Sequence, residues 1–326
     1  MRLISGPMAT LSHEAFRRTV ESFGGPDEYF TEMINASSLL NMGPFEKFYL
    51  LNGPNPEKIV WQLIGNSTAS LEKAVFTVAE KGGIGIDINM GCSAPQIYKT
   101  GAGISWMLKP LKETEEAVCK IKRNIEEAER QTGKKIRLSV KCRLGDEDFT
   151  ENSFFSFTDM LCASGVNLIT LHPRTIKEKY RLKPKYIWCQ KLAERCSSQN
   201  VKVYANGGVE DLQSLNIVKE ECPLVSGIMI SRAAGQKPWI FSELRGEHGS
   251  IDAEKLALDF IDNVELYQPK EFYKTRLQRF FSYYAKNFTF SHYFETQLVN
   301  AKDINESRER LKDYFVKQPS DKYINY

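Results

Sequence analysis

The chain has 326 residues, 42% of them hydrophobic, and a mean hydropathy of −0.39, which fits a soluble globular protein. No stretch is apolar for long enough to span a bilayer and no signal peptide precedes Leu3, so neither a membrane protein nor an exported one is expected. The net charge of +3 is too small to establish a polyanionic partner, and any such partner must be argued from where the charges lie.

Eight apolar runs read as strands, in the order Leu3 to Ser5, Tyr29 to Met33, Val60 to Ile64, Ile84 to Asn89, Ile136 to Lys141, Leu168 to His172, Val201 to Ala205 and Ile228 to Ser231. Several stretches between them, such as Glu115 to Arg130 and Leu212 to Glu220, carry helical spacing and charge. This alternation predicts an α/β fold of the (β/α)8 TIM-barrel type. A doubly wound sheet is the rival. It is disfavoured because no G-x-G-x-x-G opens a helix after the first strand; Gly82, Gly83 and Gly85 precede or interrupt their strand instead. The chain is longer than the roughly 250 residues typical of such a barrel, and the alternation stops after Leu244, at the polar stretch RGEHGS. A catalytic barrel over residues 1–245 is therefore expected, followed by an all-helical domain over residues 246–326.

Seven cysteines, an odd number without C-x-x-C pairing, argue for a reducing compartment, here the cytoplasm, and against a disulfide framework or a zinc site. His13, His172, His248 and His292 have no ligand spacing, so no metal is expected. A monomer is the expected state.

Active sites of such barrels gather at the C-terminal ends of the strands, and polar residues fall there repeatedly. Pro7, Met8 and Ala9 form a compact turn after the first strand. The second strand ends in Glu32 and Met33, with Asn35 following, and their chemistry is not readable from the sequence. Gln62, between Trp61 and Leu63, can donate and accept along the edge of a polar ring. Cys92 follows the fourth strand inside a glycine-rich turn. Free cysteines are usually buried and inert, but a thiol at a strand exit is placed for chemistry. Lys141 ends the run IRLSV, where a cation is expensive to bury unless something anionic lies opposite. His172 and Arg174 follow the sixth strand in LHPRT. After the seventh come Asn206, Gly207 and Gly208 in ANGG, and after the eighth Ser231 and Arg232, the two positions at which many barrels bind phosphate.

Beyond the barrel, the segment from Lys270 to Phe288 projects Tyr273, Leu277, Phe280, Phe281, Tyr284 and Phe288 onto one helical face, with Arg276, Arg279 and Lys286 turned away from it. The aromatic stripe reads as bundle core. The basic side reads as a surface able to track phosphates.

The run DINMGCSAPQIYKTGAG, residues 87 to 103, with Asn89, Cys92, Pro95, Lys99, Gly101 and Gly103, resembles the active-site segment of the tRNA-dihydrouridine synthases, flavoenzymes that reduce uracil in RNA. VKCRLG matches that family's lysine segment, and the resemblance covers most of the chain. It implies FMN bound by Pro7, Met8, Ala9, Gln62, Lys141, His172, Asn206, Gly207, Gly208, Ser231 and Arg232, with NADPH as electron donor. It further implies hydride transfer from reduced flavin to C6 of uracil and a proton from Cys92 to C5; an ordinary thiol is mostly protonated near neutrality and can donate. Asn89 would hold the uracil edge, Arg174 would complete the rim, and Arg276, Arg279 and Lys286 would help the helical domain hold tRNA. The base must leave its stack to enter such a pocket, at lower cost from a flexible RNA loop. Three positions depart from the family pattern. Ser93 stands where proline is frequent, Gly208 where an acidic residue is common and Ser231 where glycine is common. Two alternatives remain on the sequence: an FMN barrel oxidoreductase acting on a free pyrimidine or small enone, and an RNA-binding relative without turnover.

Overall fold

The structure, a computed structural model, describes residues 1–146, 150–178 and 182–326. Nine parallel strands line the barrel: β1 (Arg2–Ser5), β2 (Glu28–Phe30), β3 (Ile34–Asn35), β4 (Ile59–Ile64), β5 (Gly85–Met90), β6 (Arg137–Arg143), β7 (Leu168–His172), β8 (Lys202–Asn206) and β9 (Gly227–Ile230). Their order is β2-β1-β9-β8-β7-β6-β5-β4-β3, and a pairing of β2 with β4 closes the ring. Strands β2 and β3 share one barrel position, because β2 pairs with the start of β4 (Tyr29 opposite Ile59) and β3 with its end (Ile34 opposite Leu63). The expected second strand, Tyr29 to Met33, is thus broken over Thr31–Met33. At the break the hydroxyl of Thr31 accepts from the Gln62 backbone N–H at 3.0 Å, replacing a ladder bond. Eight strand positions remain, and the fold is a (β/α)8 barrel.

Helices fill the intervals because their apolar residues recur at three- and four-residue spacing. In the helix Leu111–Thr132, Ala117, Val118, Ile121, Ile125 and Ala128 are buried, and the helix stops at Gly133, whose φ of 68° suits a left-handed cap. Burial of each larger aliphatic side chain there contributes about 2 kcal/mol.

The two-residue period of the strands sends Ile86, Ile88 and Met90 of β5 outward into the main core and the alternate residues into the lumen. At the N-terminal end the lumen is closed by Glu28, which accepts from Arg2 at 2.7 Å, from Arg137 at 2.5 and 2.9 Å, and from the Tyr204 hydroxyl at 3.0 Å. Ile4, Phe30, Val60, Leu168 and Met229 pack the middle, together with the Tyr204 ring. A charged floor and an apolar plug leave the upper end for Gln62, Asp87, Asn89, Ser139, Lys141, His172 and Asn206.

A loop over residues 245–249, with Gly246 at φ 81°, leads away from the barrel. It is followed by the helices Ala253–Tyr267, Lys270–Tyr284, Ser291–Val299 and Ile304–Lys317. A short antiparallel pair, β10 (Ser250–Asp252) with β11 (Tyr323–Asn325), ties the ends of this region together, an element that helical periodicity does not reveal. The aromatic stripe is core: Phe260 stacks on Phe280 at 3.8 Å, Phe280 on Tyr284 at 5.1 Å, and Phe16 of the first barrel helix meets Phe280 edge-on at 6.4 Å. Among the described residues no helix is long and apolar enough to cross a membrane, and no group of three or more His, Cys, Asp or Glu is placed to hold a metal.

Candidate active site

Cys92 lies two residues beyond β5, partly exposed, in a turn held from both sides. The Asn89 Oδ1 accepts the backbone N–H of Gly91 at 3.2 Å and of Cys92 at 2.9 Å. The Cys92 carbonyl accepts from the N–H of Ile104 at 3.1 Å, and the Gly91 carbonyl from Arg143 Nε at 3.0 Å. Gly103 is required for this approach, since its φ is 61° and a Cβ there would stand 2.5 Å from the Cys92 carbonyl oxygen. These hydrogen bonds supply the constraint on the turn that carries Cys92.

Behind the turn runs a buried polar chain. Asn89 Nδ2 donates to Gln62 Oε1 at 2.9 Å, Gln62 Nε2 donates to Asp87 Oδ2 at 2.7 Å, and the Ser139 hydroxyl donates to Asp87 Oδ1 at 2.7 Å. Gln62 is fully buried and engaged through both ends of its amide. Asn89 Nδ2 carries two hydrogens, one of which goes to Gln62, and among the described residues the other makes no hydrogen bond. Burial raises the Asp87 carboxyl to about 6, against the pull of the Ser139 and Gln62 hydrogen bonds.

Lys141 sits in register between Asn89 of β5 and Thr170 of β7. Burial, and then the charge of Arg143, lower its ammonium to about 8, with Asp87 opposing. His172, on the neighbouring strand, is more strongly affected: desolvation first, then Lys141, Arg143, Arg174 and Arg232, push the imidazole far below its ordinary range, so it is neutral near pH 7. The Arg174 Nη1 lies 2.8 Å from His172 Nε2. A guanidinium can only donate, which assigns the ring proton to Nδ1. Arg174 also donates to the Leu182 carbonyl at 2.6 Å and is buried, so it orders the rim from below.

The turns after β1, β8 and β9 meet beside these groups. Met8 N–H donates to Ser12 Oγ at 2.8 Å, and Ser12 Oγ donates to the Gly6 carbonyl at 3.1 Å, which shapes Pro7, Met8 and Ala9. Asn206 Nδ2 donates to the Met229 carbonyl at 2.9 Å and ties β8 to β9. Gly207 and Gly208 have φ of 107° and 81°. A Cβ on Gly207 would come within 3.0 Å of the His172 ring, and one on Gly208 within 2.5 Å of the Tyr186 hydroxyl. No acidic side chain fits at Gly208 without strain. Ser231 precedes the short helix Arg232–Gln236 and fills the space over Gly6, and Arg232 is exposed. A glycine backbone cradle, an exposed arginine and a partly buried lysine without an ion-pair partner among the described residues fit the phosphate and ring of a flavin nucleotide.

The C-terminal helical region corrects one expectation. Arg276 does not lie on the exposed basic face; it is 2% exposed and bonds Glu32 at 2.7 Å and Gln268 Oε1 at 3.1 Å. Its side chain lies over Phe272 at 5.0 Å. The helical spacing turns it away from the apolar stripe, and the anion supplied by the barrel brings it inward instead. Glu32, without a readable role in the sequence, also accepts the Thr10 N–H at 2.5 Å. Arg279 and Lys286 are exposed as expected and flank the Tyr283 ring at 5.4 and 5.6 Å.

Asp87, Ser139 and Arg143 join the candidate site without being singled out by the strand ends. Their signal was present: Asp87 precedes Asn89 by two residues, and Ser139 and Arg143 flank Lys141 by two, so strand alternation puts each pair on one face.

The closed parallel barrel, with its polar residues collected at the C-terminal strand ends, defines an enzyme of the (β/α)8 class. The same architecture occurs in morphinone reductase, which superposes with a TM-score of 0.52 at 8% identity, covering 76% of this chain and 86% of that one. A family model described as dihydrouridine synthase (Dus) matches residues 3–322, and the chain belongs to that oxidoreductase family. Similar proteins include a probable tRNA-dihydrouridine synthase of Aquifex aeolicus, 28% identical over 318 residues and covering 95% of both chains. Another is the probable tRNA-dihydrouridine synthase 2 of Bacillus subtilis, 27% identical over 319 residues, with 95% of this chain and 93% of that one covered.

Proposed function

We propose that this protein reduces uridines in tRNA to 5,6-dihydrouridine, with FMN as its resident cofactor, NADPH as electron donor and Cys92 as the acid. The observation that carries this reading is the Cys92 thiol held at the mouth of the barrel by Asn89, next to the strand that presents Lys141. FMN when bound, reduced by NADPH, supplies the hydride for C6 of uracil. Lys141 would lie against the edge of the ring where negative charge accumulates, with the Nδ1–H of His172 as a neutral donor nearby. The turns at Pro7–Ala9, Asn206–Gly208 and Ser231–Arg232 would hold the ring and phosphate. Cys92 then delivers its proton to C5 from the opposite face, and the free N–H of Asn89 orients the base.

The tRNA part of the reading is supported by Arg279 and Lys286, which present like charge around Tyr283 on a helix whose Arg276 is anchored to the barrel rim. Seven free cysteines support a reducing, cytoplasmic setting. The decisive experiment is a map of dihydrouridine in tRNA from a strain lacking this gene, complemented with wild type or Cys92→Ala. Specific positions should lose the modification, regain it with wild type and fail to regain it with the variant. An unchanged map in the deletion strain would refute the proposal.

A further inference from the structure

Asn89 can steady Cys92 only if its amide points oxygen first at the turn, and an amide by itself has no such preference, since its two ends are nearly the same size. The sense is imposed from both ends of the buried chain. At one end the backbone N–H groups of Gly91 and Cys92 require an acceptor. At the other, Asp87 presents two acceptor oxygens, one taken by Ser139 and the other by Gln62. Gln62 must therefore turn its nitrogen to Asp87 and its oxygen to Asn89, which leaves the Asn89 oxygen for the turn. All four side chains are buried, so water does not compete strongly for these bonds.

The geometry points to Asp87 as a positioning residue for Cys92, acting through Gln62 and Asn89 on the backbone that carries the thiol. Its effect on turnover rests on Cys92 being the proton donor, whereas its effect on the turn does not. An asparagine at position 87 can keep the pattern, with its oxygen toward Gln62 and its amide nitrogen toward a Ser139 hydroxyl turned to accept. An alanine cannot, and Gln62 then loses its reason to choose one orientation.

The test is amide hydrogen exchange resolved at Gly91 and Cys92, with single-turnover formation of dihydrouridine, in flavin-loaded wild type, Asp87→Ala, Asp87→Asn and Ser139→Ala. In Asp87→Ala the two amides should exchange at least about tenfold faster while Ile88 in β5 is unchanged, and turnover should fall by a similar factor. Asp87→Asn should restore both to within about threefold of wild type, the rescue that a purely electrostatic role would not allow. Ser139→Ala, which removes one bond and little volume, should show a smaller change at the same two amides and remains informative where Asp87→Ala does not fold. Unchanged exchange at Gly91 and Cys92 in the variants that fold, or an Asp87→Asn as impaired as Asp87→Ala, would overturn the assignment. Altered exchange with unaltered turnover would leave Asp87 positioning the turn and instead remove Cys92 as the acid.

Discussion

Arg276 of the C-terminal helical region and Glu32 of the barrel rim form an ion pair at 2.7 Å, with side chains only 3% and 6% exposed. Glu32 also holds the N–H of Thr10, the residue following the Pro7–Ala9 turn. One carboxylate thus connects the candidate flavin-binding turn to the domain proposed to carry tRNA. Burial works to raise the Glu32 carboxyl, and the guanidinium of Arg276 opposes it.

Arg276→Met should therefore destabilise the protein by about 3–5 kcal/mol, because it strands a buried carboxylate. Adding Glu32→Gln should recover part of that loss, since the pair is then replaced by neutral groups and Thr10 keeps an acceptor. Urea unfolding of the single and double variants decides between this and a surface role. A shift below about 0.5 kcal/mol in the single variant would place Arg276 outside the core in solution.

Arg279→Glu and Lys286→Glu should weaken tRNA binding and lower the slope of log affinity against log salt by roughly one for each phosphate that is no longer neutralised. NADPH-driven flavin reduction should persist, because both side chains are exposed to solvent. Filter binding at several salt concentrations measures the slope. Wild-type affinity in the double variant would move the RNA-binding face elsewhere. Deleting residues 246–326 is a poorer test, because Phe16 and the first barrel helix would lose their packing against Phe280.

Cys92→Ala should retain flavin and its reduction by NADPH while dihydrouridine formation falls by about 100-fold to 10,000-fold, the loss expected of a general acid. Cys92→Ser should not restore the rate, since a hydroxyl is a much weaker acid. Because the thiol is partly exposed, neither change should cost more than about 1 kcal/mol of stability. Wild-type single-turnover rates in Cys92→Ala would assign the proton to another group. The Nε2 of His172 is not that group, because it accepts from Arg174.

Lys141 should leave a signature in the pH dependence of flavin-free protein. Its folded value, about 8, lies below the ordinary 10.5, so between those values the unfolded chain binds more protons than the folded one. Stability from this group is then lowest below pH 8 and rises toward pH 10.5, by an amount on the order of 3 kcal/mol. Wild type minus Lys141→Met, followed by urea unfolding at about pH 7.5 and about pH 10, isolates that increment from other titrations. An equal change in both proteins would show a solvated lysine. The same substitution should weaken flavin retention.

Local patterning determined much of this protein. The period-two alternation in β4 to β9 is a property of a few neighbouring residues, and it set both the strands and the side each residue faces. Cys92, Lys141, His172 and the ANGG turn were visible for the same reason, since each follows an apolar run at a fixed offset. Barrel closure decided what lies across the lumen. Ser139 and Asp87 are 52 residues apart, Gln62 and Asp87 are 25 apart, and Arg276 and Glu32 are 244 apart. Periodicity turned Arg276 away from the apolar stripe, and it held no sign that a carboxylate from beyond the second strand would draw it inward. Hydrophobic pattern is written along the chain, whereas the partner that turns a buried polar group from a cost into a bond is supplied by whichever strand or helix the closed fold brings alongside it.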